Sequence, residues 1–458
     1  MARRGPDGYA HEPVPLGVLH HARLGVHGSQ QQPVVAGETA TVYNGEVYNA
    51  AELGGAVDQD AALMAEGFHA RGAAFMREAN GAWAFIQTTP EAVTAVRDRF
   101  GLRPLFRYYD GQNLIYASNL ATIATALGRI GLQPDINPAY PPKGRVPLPC
   151  YYKHTEPLPP GTIETATLLE GRWAIRRTRW YAPHPCDHGP LGSVLEAAVE
   201  RRLHPHAAVA VSGGVDSYLL RAFAGSTVPA YHLDITDEAL AARRIGALVL
   251  EPKLVDLADV LATLEQPFYA HPPNYWLAQA IKDAAPKTRV VLTGVGADEL
   301  FGGYRHHAEP FTQKRYRQVY GIQAPGVEGW RLSELEHVIA HHYGYRTDQM
   351  FLRFGLEGRH PYMDHKVVET ALCHPHDGKA ALKALAKRLG WRSGPKRGFA
   401  ANLSRYITTG SASTSAPGTT AHDSVPACGP TAHEGTAASY ATSLSAWTDS
   451  PGCRDSTR

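Results

Sequence analysis

Short runs of apolar and β-branched residues alternate with turn residues over the first ~125 positions of the chain. The runs at 16–19, 40–43, 82–86, 92–96 and 114–117 each have the length and composition of a strand. The pattern therefore predicts a sheet-rich N-terminal domain.

A different pattern begins near residue 190, where apolar runs of strand length are followed by helical ones. Strands are predicted at 207–211, 230–235 and 290–293, with a helix after Ser217 and a helical pattern at 238–250. Further helical patterns cover 332–341 and 379–389. Alternating strands and helices predict a parallel sheet covered on both faces.

Proline and small polar residues mark the limits of these two regions. Nine prolines fall within 132–162, which favours a connection over regular structure, and the chain beyond 409 is rich in Ser, Thr, Ala, Gly and Pro. We therefore predict a domain at 1–130, a proline-rich connection at 131–189, a second domain at 190–408 and a disordered tail at 409–458.

Composition narrows the class of protein. The 458 residues are 44% hydrophobic with a net charge of only +2, which is typical of a globular enzyme and lacks the basic surface of a nucleic-acid binder. The five cysteines show no C-x-x-C spacing, and no apolar run approaches membrane-spanning length. We expect a cytoplasmic protein without a signal peptide, zinc site, nucleic-acid partner or membrane partner.

The run 212–217, Ser-Gly-Gly-Val-Asp-Ser, follows the first strand of the second domain. Glycines allow the backbone to approach an anion closely, and N–H groups at the start of a helix bind phosphate oxygens. The run lacks the lysine of a Walker A loop, so it predicts a pyrophosphate-binding loop, although a plain strand-to-helix turn is an alternative. The residues assigned to this site are Ser212, Gly213, Gly214 and Ser217, with Asp216 as a ligand of Mg²⁺.

A second glycine-containing run, 293–304, follows the strand predicted at 290–293. Ligands bind at the carboxyl ends of parallel strands, so both loops are expected to open on one crevice. Asp298 is the predicted second carboxylate for the metal. The predicted nucleotide site is completed by Ile235, Thr293 and Gly294.

The two loops and several further motifs, in the same order, resemble the asparagine synthetase family. The loops are most similar to those of asparagine synthetase domain-containing proteins. The resemblance implies an α/β protein with two domains: an Ntn-hydrolase-like, β-rich glutaminase domain built as an α+β sandwich, and a parallel α/β ATP-pyrophosphatase domain of the adenine nucleotide alpha-hydrolase type. The further motifs are 4–8, 22–24, 32–33, 44–49, 98–105, 358–365, 378–379 and 395–399.

By this resemblance, the second domain activates a small-molecule carboxylate as its adenylate, with ATP and Mg²⁺ as cofactors and release of AMP and pyrophosphate. Ammonia or another amine then forms the amide, so the enzyme class implied is a carbon–nitrogen ligase. Lys379 is similar to the family's catalytic lysine and acts with Asp298. Arg359 and Lys396 are expected to flank the phosphates.

The resemblance also implies a glutamine site in the first domain. Arg23 is expected to bind the substrate carboxylate, Asn44 and Gly45 to form the oxyanion hole, and Glu46 and Asp58 to hold the amino group. The family's N-terminal cysteine is absent, because the sequence begins Met-Ala-Arg. We hypothesise that a cysteine-led strand lies upstream of this start, the competing hypothesis being a retained domain without glutaminase activity.

Val295 departs from the family pattern, because asparagine synthetases carry a glutamate in this loop. Asparagine is therefore not assured as the product, and β-lactam synthetases and lasso-peptide cyclases share the scaffold. A scaffolding pseudoenzyme and a tRNA-modifying ATP pyrophosphatase are the rival functions. The histidine pairs 20–21, 306–307 and 341–342 are not expected to bind metal, because neighbouring side chains point apart. The oligomeric state, a homodimer included, stays open.

Overall fold

The computed structural model describes residues 4–28, 30–56, 58–140, 146, 148–235, 238–266, 273–308, 310, 312–321, 329–392 and 406–408. The predicted tail, 409–458, and the motif at 395–399 lie outside these residues.

The first domain is built on antiparallel sheets. A six-stranded sheet has the order β11-β10-β6-β5-β4-β3, a three-stranded sheet has the order β8-β7-β9, and β1 and β2 form a separate hairpin. The strands are β1 (Gly8–Val14), β2 (Gly17–Arg23), β3 (Val34–Ala36), β4 (Thr39–Val47), β5 (Gly81–Thr88), β6 (Ala92–Arg97), β7 (Phe106–Tyr109), β8 (Leu114–Ala117), β9 (Thr155–Pro157), β10 (Thr162–Leu169) and β11 (Arg172–Arg179).

Two helices cover one face of the larger sheet, because they place large apolar side chains over its central strands. Met64 and Phe75 on the helices lie in one buried cluster with Trp83 and Phe85 of β5. The helices of this domain are α1 (Asp60–Arg71), α2 (Ala73–Glu78) and α3 (Leu120–Arg129), with a 3₁₀ turn at Ala50–Leu53. The prediction of a sheet-rich first domain is confirmed.

The hairpin of β10 and β11 lies inside the interval predicted to be a connection. Its first strand pairs with β6 and so extends the sheet of the first domain. Glu170 and Gly171 join the two strands with φ of 49° and 77°, the left-handed geometry of a two-residue hairpin turn. The high proline content just upstream concealed this regular alternation.

The second domain contains a five-stranded parallel sheet with the order β14-β13-β12-β16-β17. A short parallel pair, β15 with β18, lies apart from it. These strands are β12 (Ala207–Ala210), β13 (Ala230–Leu233), β14 (Leu248–Leu250), β15 (Val255–Asp256), β16 (Val290–Leu292), β17 (Glu357–Arg359) and β18 (Ile407–Thr408).

The side chains of alternate residues on β12 and β16 pack into two separate apolar cores, one on each face of the sheet. Val209 and Leu292 belong to one buried cluster, whereas Ala208 and Val291 belong to another, so both faces of the sheet are covered as predicted. The helices are α4 (Leu191–Glu200), α5 (Val215–Ala224), α6 (Ala239–Arg244), α7 (Leu257–Leu264), α8 (Pro273–Ala284), α9 (Ala297–Phe301), α10 (Gln313–Tyr320), α11 (Gly329–Ser333), α12 (Gly344–Arg353), α13 (His365–Leu372) and α14 (Ala380–Arg388), with a π-helix at Glu334–Tyr343 and 3₁₀ turns at Arg305–Ala308 and Pro361–Met363.

Two local predictions in this domain were wrong. Helix α5 begins at Val215, so Asp216 and Ser217 lie in its first turn instead of before it. The helical pattern predicted for 238–250 divides into α6 and β14, because Gly246 adopts φ of 78° and ends the helix.

Candidate active site

Loops from four adjacent parallel strands open at one edge of the five-stranded sheet. The central strand β12 has β13 on one side and β16 on the other, so the loops after β12 and β16 diverge over a crevice between them. Val209 pairs in register with Leu292, which brings the two predicted loops side by side. Ile235 lies just beyond the end of β13, buried in the core under the same edge.

The loop after β12 is closed by its own serines. The backbone N–H of Ser212 donates to Ser217 Oγ at 3.1 Å, and that hydroxyl donates to the carbonyl of Gly214 at 3.1 Å. Gly213 has φ of 82°, and a Cβ there would lie 2.8 Å from that of Ala241. The loop therefore requires glycine, and it leads directly into the positive end of α5.

Lys379 joins the two predicted metal ligands. Its Nζ lies 2.5 Å from Asp216 Oδ2 and 2.5 Å from Asp298 Oδ1, and its side chain is only 3% exposed. Burial lowers the pKa of Lys379, but the two carboxylates outweigh that effect and raise its pKa well above the ordinary value. Two anions and one cation thus form a compact centre at the mouth of the crevice.

The backbone around Lys379 is fixed by close contacts. Lys379 itself has φ of 67°, a conformation that costs a non-glycine residue about 1 kcal/mol or more, and its N–H donates to Phe301 O at 2.7 Å. A Cβ at Gly303 would lie 1.8 Å from Asp298 Oδ1 and 2.2 Å from Lys379 Cε. Position 303 must therefore lack a side chain for Lys379 to reach Asp298.

Two residues that follow β17, His360 and Tyr362, support the loops; both belong to the motif 358–365, but sequence reasoning assigned them no individual role. Tyr362 Oη donates to the backbone carbonyl of Asp216 at 3.0 Å. His360 Nδ1 lies 2.7 Å from Thr293 Oγ1, and burial lowers the pKa of His360 to about 3. The predicted Thr293 is thus oriented by a neutral imidazole, and Gly294 lies against the Asp216 side chain.

Glu299 is a buried acid next to the centre that sequence reasoning did not identify. Tyr304 Oη lies 2.8 Å from its Oε1 and 3.0 Å from Tyr343 Oη, within hydrogen-bond distance of both. Burial and the nearby charge of Asp298 raise the pKa of Glu299 to about 8. Val295, in the same loop, lies partly buried against the apolar core.

The residues present fit ATP and Mg²⁺. The carboxylate oxygens of Asp216 and Asp298 each lie 2.5 Å from Lys379 Nζ and so lie close to one another, and oxygen donors are the ligands that Mg²⁺ prefers. Gly213 allows the loop to turn closely against Ala241, and the hydroxyl of Ser212 lies 3.4 Å from the N–H of Gly214 at the N-terminus of α5.

A second concavity, of about 780 Å³, lies in the first domain. Asn44 presents a buried Nδ2 that has no hydrogen-bond partner among the described residues, as expected of a donor reserved for a ligand. Gly45 is required, since a Cβ there would lie 2.1 Å from Ala82 O. All five predicted glutamine ligands line this cavity: Arg23, Asn44, Gly45, Glu46 and Asp58.

The inner wall of this cavity borders the second domain. Glu46 Oε2 lies 3.4 Å from Arg359 Nη2, and burial together with Glu357 raises the pKa of Glu46 well above its ordinary value. Arg359 was expected at the phosphates, but its guanidinium bonds to Glu357 at 2.6 Å and faces Glu46. Lys396, the other residue expected there, lies outside the described residues.

Two further charged residues of this wall, Arg103 and Asp60, were given no role by the sequence reasoning. Arg103 lies 3.1 Å from Glu357 and 3.2 Å from Asp348, so it links the first domain to two elements of the second. Asp60 lines the cavity beside them, and burial raises its pKa to about 7. The motif 98–105 contained the only sequence signal, and it could not indicate the partners.

One histidine pair departs from its predicted geometry. His306 and His307 both direct Nε2 at Glu334 Oε1, at 3.3 and 2.9 Å. The expectation that neighbouring rings point apart is wrong here, because the two rings of the turn Arg305–Ala308 lie with centroids 4.5 Å apart and reach the same carboxylate oxygen.

Within the described part of the chain, no helix has both the length and the apolar character needed to cross a membrane.

Comparison with known proteins gives two family matches. A glutamine amidotransferase domain model matches residues 1–177, and an asparagine synthase model matches residues 191–346. A solved structure titled as the allosteric regulatory enzyme of purine biosynthesis aligns over 60% of this chain and 66% of its own at 14% identity, and its TM-score of 0.27 is too low to support a fold comparison.

The curated relatives of this chain are named as glutamine-hydrolyzing asparagine synthetases. A probable glutamine-hydrolyzing asparagine synthetase of Schizosaccharomyces pombe is 25% identical over 81% of this chain and 71% of its own length. A putative one of Mycobacterium tuberculosis is 26% identical over 65% and 53%, and asparagine synthetase 1 of Bacillus subtilis is 24% identical over 70% and 57%. The chain thus spans from about half to about 71% of the length of these relatives.

Both family models occur in one chain, and this combination favours amide formation over tRNA modification or a scaffold role. With a glutamine amidotransferase domain in front of a parallel α/β synthetase domain, the chain belongs to the asparagine synthetase family of ATP-dependent carbon–nitrogen ligases.

Proposed function

We propose that this chain adenylates a small-molecule carboxylate with ATP and Mg²⁺ and then forms an amide with ammonia or another amine. The observation that carries this proposal is the position of Lys379 Nζ, 2.5 Å from both Asp216 and Asp298, where two glycine-containing loops meet at the sheet edge. Two carboxylates and a buried ammonium at the start of a helix suit a reaction in which pyrophosphate leaves.

In this proposal, the loop after β12 binds the pyrophosphate portion of ATP. Gly213 and Gly214 allow close backbone approach, and the hydroxyls of Ser212 and Ser217 position the loop. Asp216 and Asp298 would hold Mg²⁺, which neutralises phosphate charge when bound. Thr293 and Gly294 form the opposite wall, and Ile235 borders the nucleotide from β13.

Lys379 is assigned to the reacting centre. Its ammonium stays protonated because two carboxylates face it, so it can stabilise negative charge that develops on the transferring group. After adenylation the same ammonium can bind the oxygen of the tetrahedral intermediate. These tasks need a fixed position, which the left-handed backbone at Lys379 and the small Gly303 provide.

The cavity of the first domain is assigned to glutamine. Arg23 would bind its carboxylate, Asn44 Nδ2 and the Gly45 N–H its amide oxygen, and Glu46 and Asp58 its amino group. The buried Asn44 donor supports this orientation. Calorimetric titration of the full chain with glutamine, with Arg23→Gln as the variant, measures this binding separately from ligase activity.

The test of the ligase uses hydroxylamine, which traps acyl-adenylates without requiring the natural amine. The full chain is incubated with ATP, Mg²⁺, hydroxylamine and a panel of acids that includes aspartate. We expect AMP, pyrophosphate and one hydroxamate in equal amounts. If ATP binds but no acid of the panel yields AMP, the proposal is wrong and a binding role is favoured.

The nitrogen source is tested with the acid that the trap identifies. Val295 offers no group that can accept a proton, so we expect amide formation with ammonia to rise with pH as the free amine increases. Ammonia and glutamine are compared at equal concentration. If glutamine supports amide formation and ammonia does not, the chain is not an ammonia-using ligase.

A further inference from the structure

We propose that Cys186, His188 and Glu369 form a binding site for a zinc-type divalent cation. The three residues lie where the segment after the first domain, near residue 186, meets helix α13 of the second domain. None of them belongs to the adenylation centre or to the glutamine cavity.

The three side chains converge on one point. The potential ligand atoms, one thiol sulfur, one imidazole nitrogen and one carboxylate oxygen, all lie within 4.8 Å of one another. His188 Nε2 is 2.7 Å from Glu369 Oε2. A cation with bonds of about 2.0–2.3 Å therefore needs only small side-chain rotations to contact all three.

The backbone holds this arrangement without a metal. The N–H of Cys186 donates to Glu369 O at 3.2 Å, and the N–H of His188 contacts Thr370 Oγ1 at 3.4 Å. The peptide 186–188 is thus fastened to α13 at two places. Its C-x-H spacing brings both donors to the same helix end.

The surroundings resemble those of a metal ligand set. Tyr181 Oη donates to Glu369 Oε1 at 3.0 Å, which orients the carboxylate as outer partners of metal ligands do. The Glu369 side chain is 7% exposed and that of His188 is 26% exposed, so solvent reaches the site from one side. The thiol of Cys373 lies 3.6 Å from the backbone carbonyl of Glu369 and is not one of the three converging ligands.

The donor types select the metal. A thiolate, an imidazole and a carboxylate are the three ligand classes of zinc, whereas Mg²⁺ and Ca²⁺ take oxygen ligands. Without a metal, the hydrogen bond between His188 and Glu369 would account for these two side chains, but it would not account for the position of Cys186 beside them. Sequence spacing did not reveal the site, because its ligands come from separate segments rather than one C-x-x-C motif.

Cobalt provides the probe, because Co²⁺ replaces Zn²⁺ and absorbs when bound to thiolate. The full chain is stripped of metal, titrated with Co²⁺ and then with Zn²⁺. We expect one Co²⁺ per chain with a tetrahedral, thiolate-containing spectrum that Zn²⁺ abolishes. Cys186→Ser should abolish the thiolate band, His188→Gln should weaken binding, and Tyr181→Phe should weaken it about 10–100-fold.

Matched variants locate the site. His184→Gln removes a neighbouring histidine outside the cluster, and Cys150→Ser removes a cysteine buried elsewhere, so both should retain the spectrum. Circular dichroism and cooperative unfolding show that each variant is folded. The proposal is overturned if the wild-type chain binds no stoichiometric Co²⁺, if the thiolate band survives in folded Cys186→Ser, or if His307→Gln abolishes binding instead.

Discussion

The carboxylate of Glu46, in the sheet of the first domain, lies 3.4 Å from the guanidinium of Arg359, at the end of β17 in the second domain. The backbone carbonyl of Arg359 accepts a hydrogen bond from Thr293 N at 3.0 Å. One residue therefore contacts both the glutamine-type cavity and the nucleotide loop. A structural change at either site can therefore reach the other through the contacts of Arg359.

Arg359→Met should strongly destabilise the chain. It leaves the carboxylates of Glu46 and Glu357 buried beside each other without their shared cation, and breaking a buried ion pair in this way costs about 3–5 kcal/mol. Urea unfolding measures the loss. Arg71→Met, which removes an exposed pair with Glu78, is the control and should have a much smaller effect. Equal effects of the two variants would contradict the assigned importance of Arg359.

Lys379→Met should reduce AMP formation by about 10²–10³-fold, the usual effect of removing one group that stabilises transition-state charge. ATP should still bind, because the loop after β12 is unchanged. The control is Lys383→Met, one helical turn further along α14 and exposed to solvent. Stopped assays of AMP release, with ATP affinity measured separately, distinguish the two steps. A loss of ATP binding equal to the loss of rate would remove Lys379 from the reacting centre.

Gly303→Ala should impair catalysis for a steric reason. The new methyl group would lie 1.8 Å from Asp298 Oδ1 and 2.2 Å from Lys379 Cε, so the contact between these side chains must break. We expect a rate loss comparable to that of Lys379→Met. Gly128→Ala, in helix α3 with no atom within 4 Å of the added carbon, should leave activity unchanged. Full activity of Gly303→Ala would show that the Lys379–Asp298 contact is dispensable.

Glu299 should make the folded state less stable as pH rises. Its pKa is about 8 in the fold and about 4.3 in an unfolded chain, so the folded state binds more protons between these values. The contribution that protonation of Glu299 makes to the free energy of unfolding is fully present below about pH 4 and is lost progressively as the pH rises toward 8. Glu299→Gln, which stays neutral, should reduce this dependence. Urea midpoints at pH 5, 6.5 and 8 test it, with exposed Glu196→Gln as the control; parallel pH curves for wild type and Glu299→Gln would contradict the raised pKa.

Local sequence patterns predicted the central strands of the two larger sheets, but they missed β3, β10 and β11 in the first domain and β14 and β17 in the second. The strand at 114–117 has the predicted bounds, and 207–211 is longer than β12 by one residue. The hairpin at 162–179 was missed because proline content, a property of its neighbours, outweighed its own alternation. The segment 238–250 was misassigned because a short apolar strand after a helix continues the helical periodicity.

The site was predicted in part for a similar reason. Glycine loops after strands are visible in sequence, so Ser212 and Thr293 were found together with the carboxylates beside them. The contact of Lys379 with Asp216 joins residues 163 positions apart, and no local pattern encodes it. The same limit applies to Arg359, which was expected at the phosphates and instead pairs with Glu46 and Glu357.

The pairing of β18 with β15 has a practical consequence for anyone who produces this protein. Ile407 and Thr408 supply backbone hydrogen bonds to the short strand that leads into α7. A shortened gene that stops before codon 407 would leave that strand edge bare, and an unpaired edge invites self-association. An expression boundary or affinity tag is therefore better placed after residue 408 than at the end of α14.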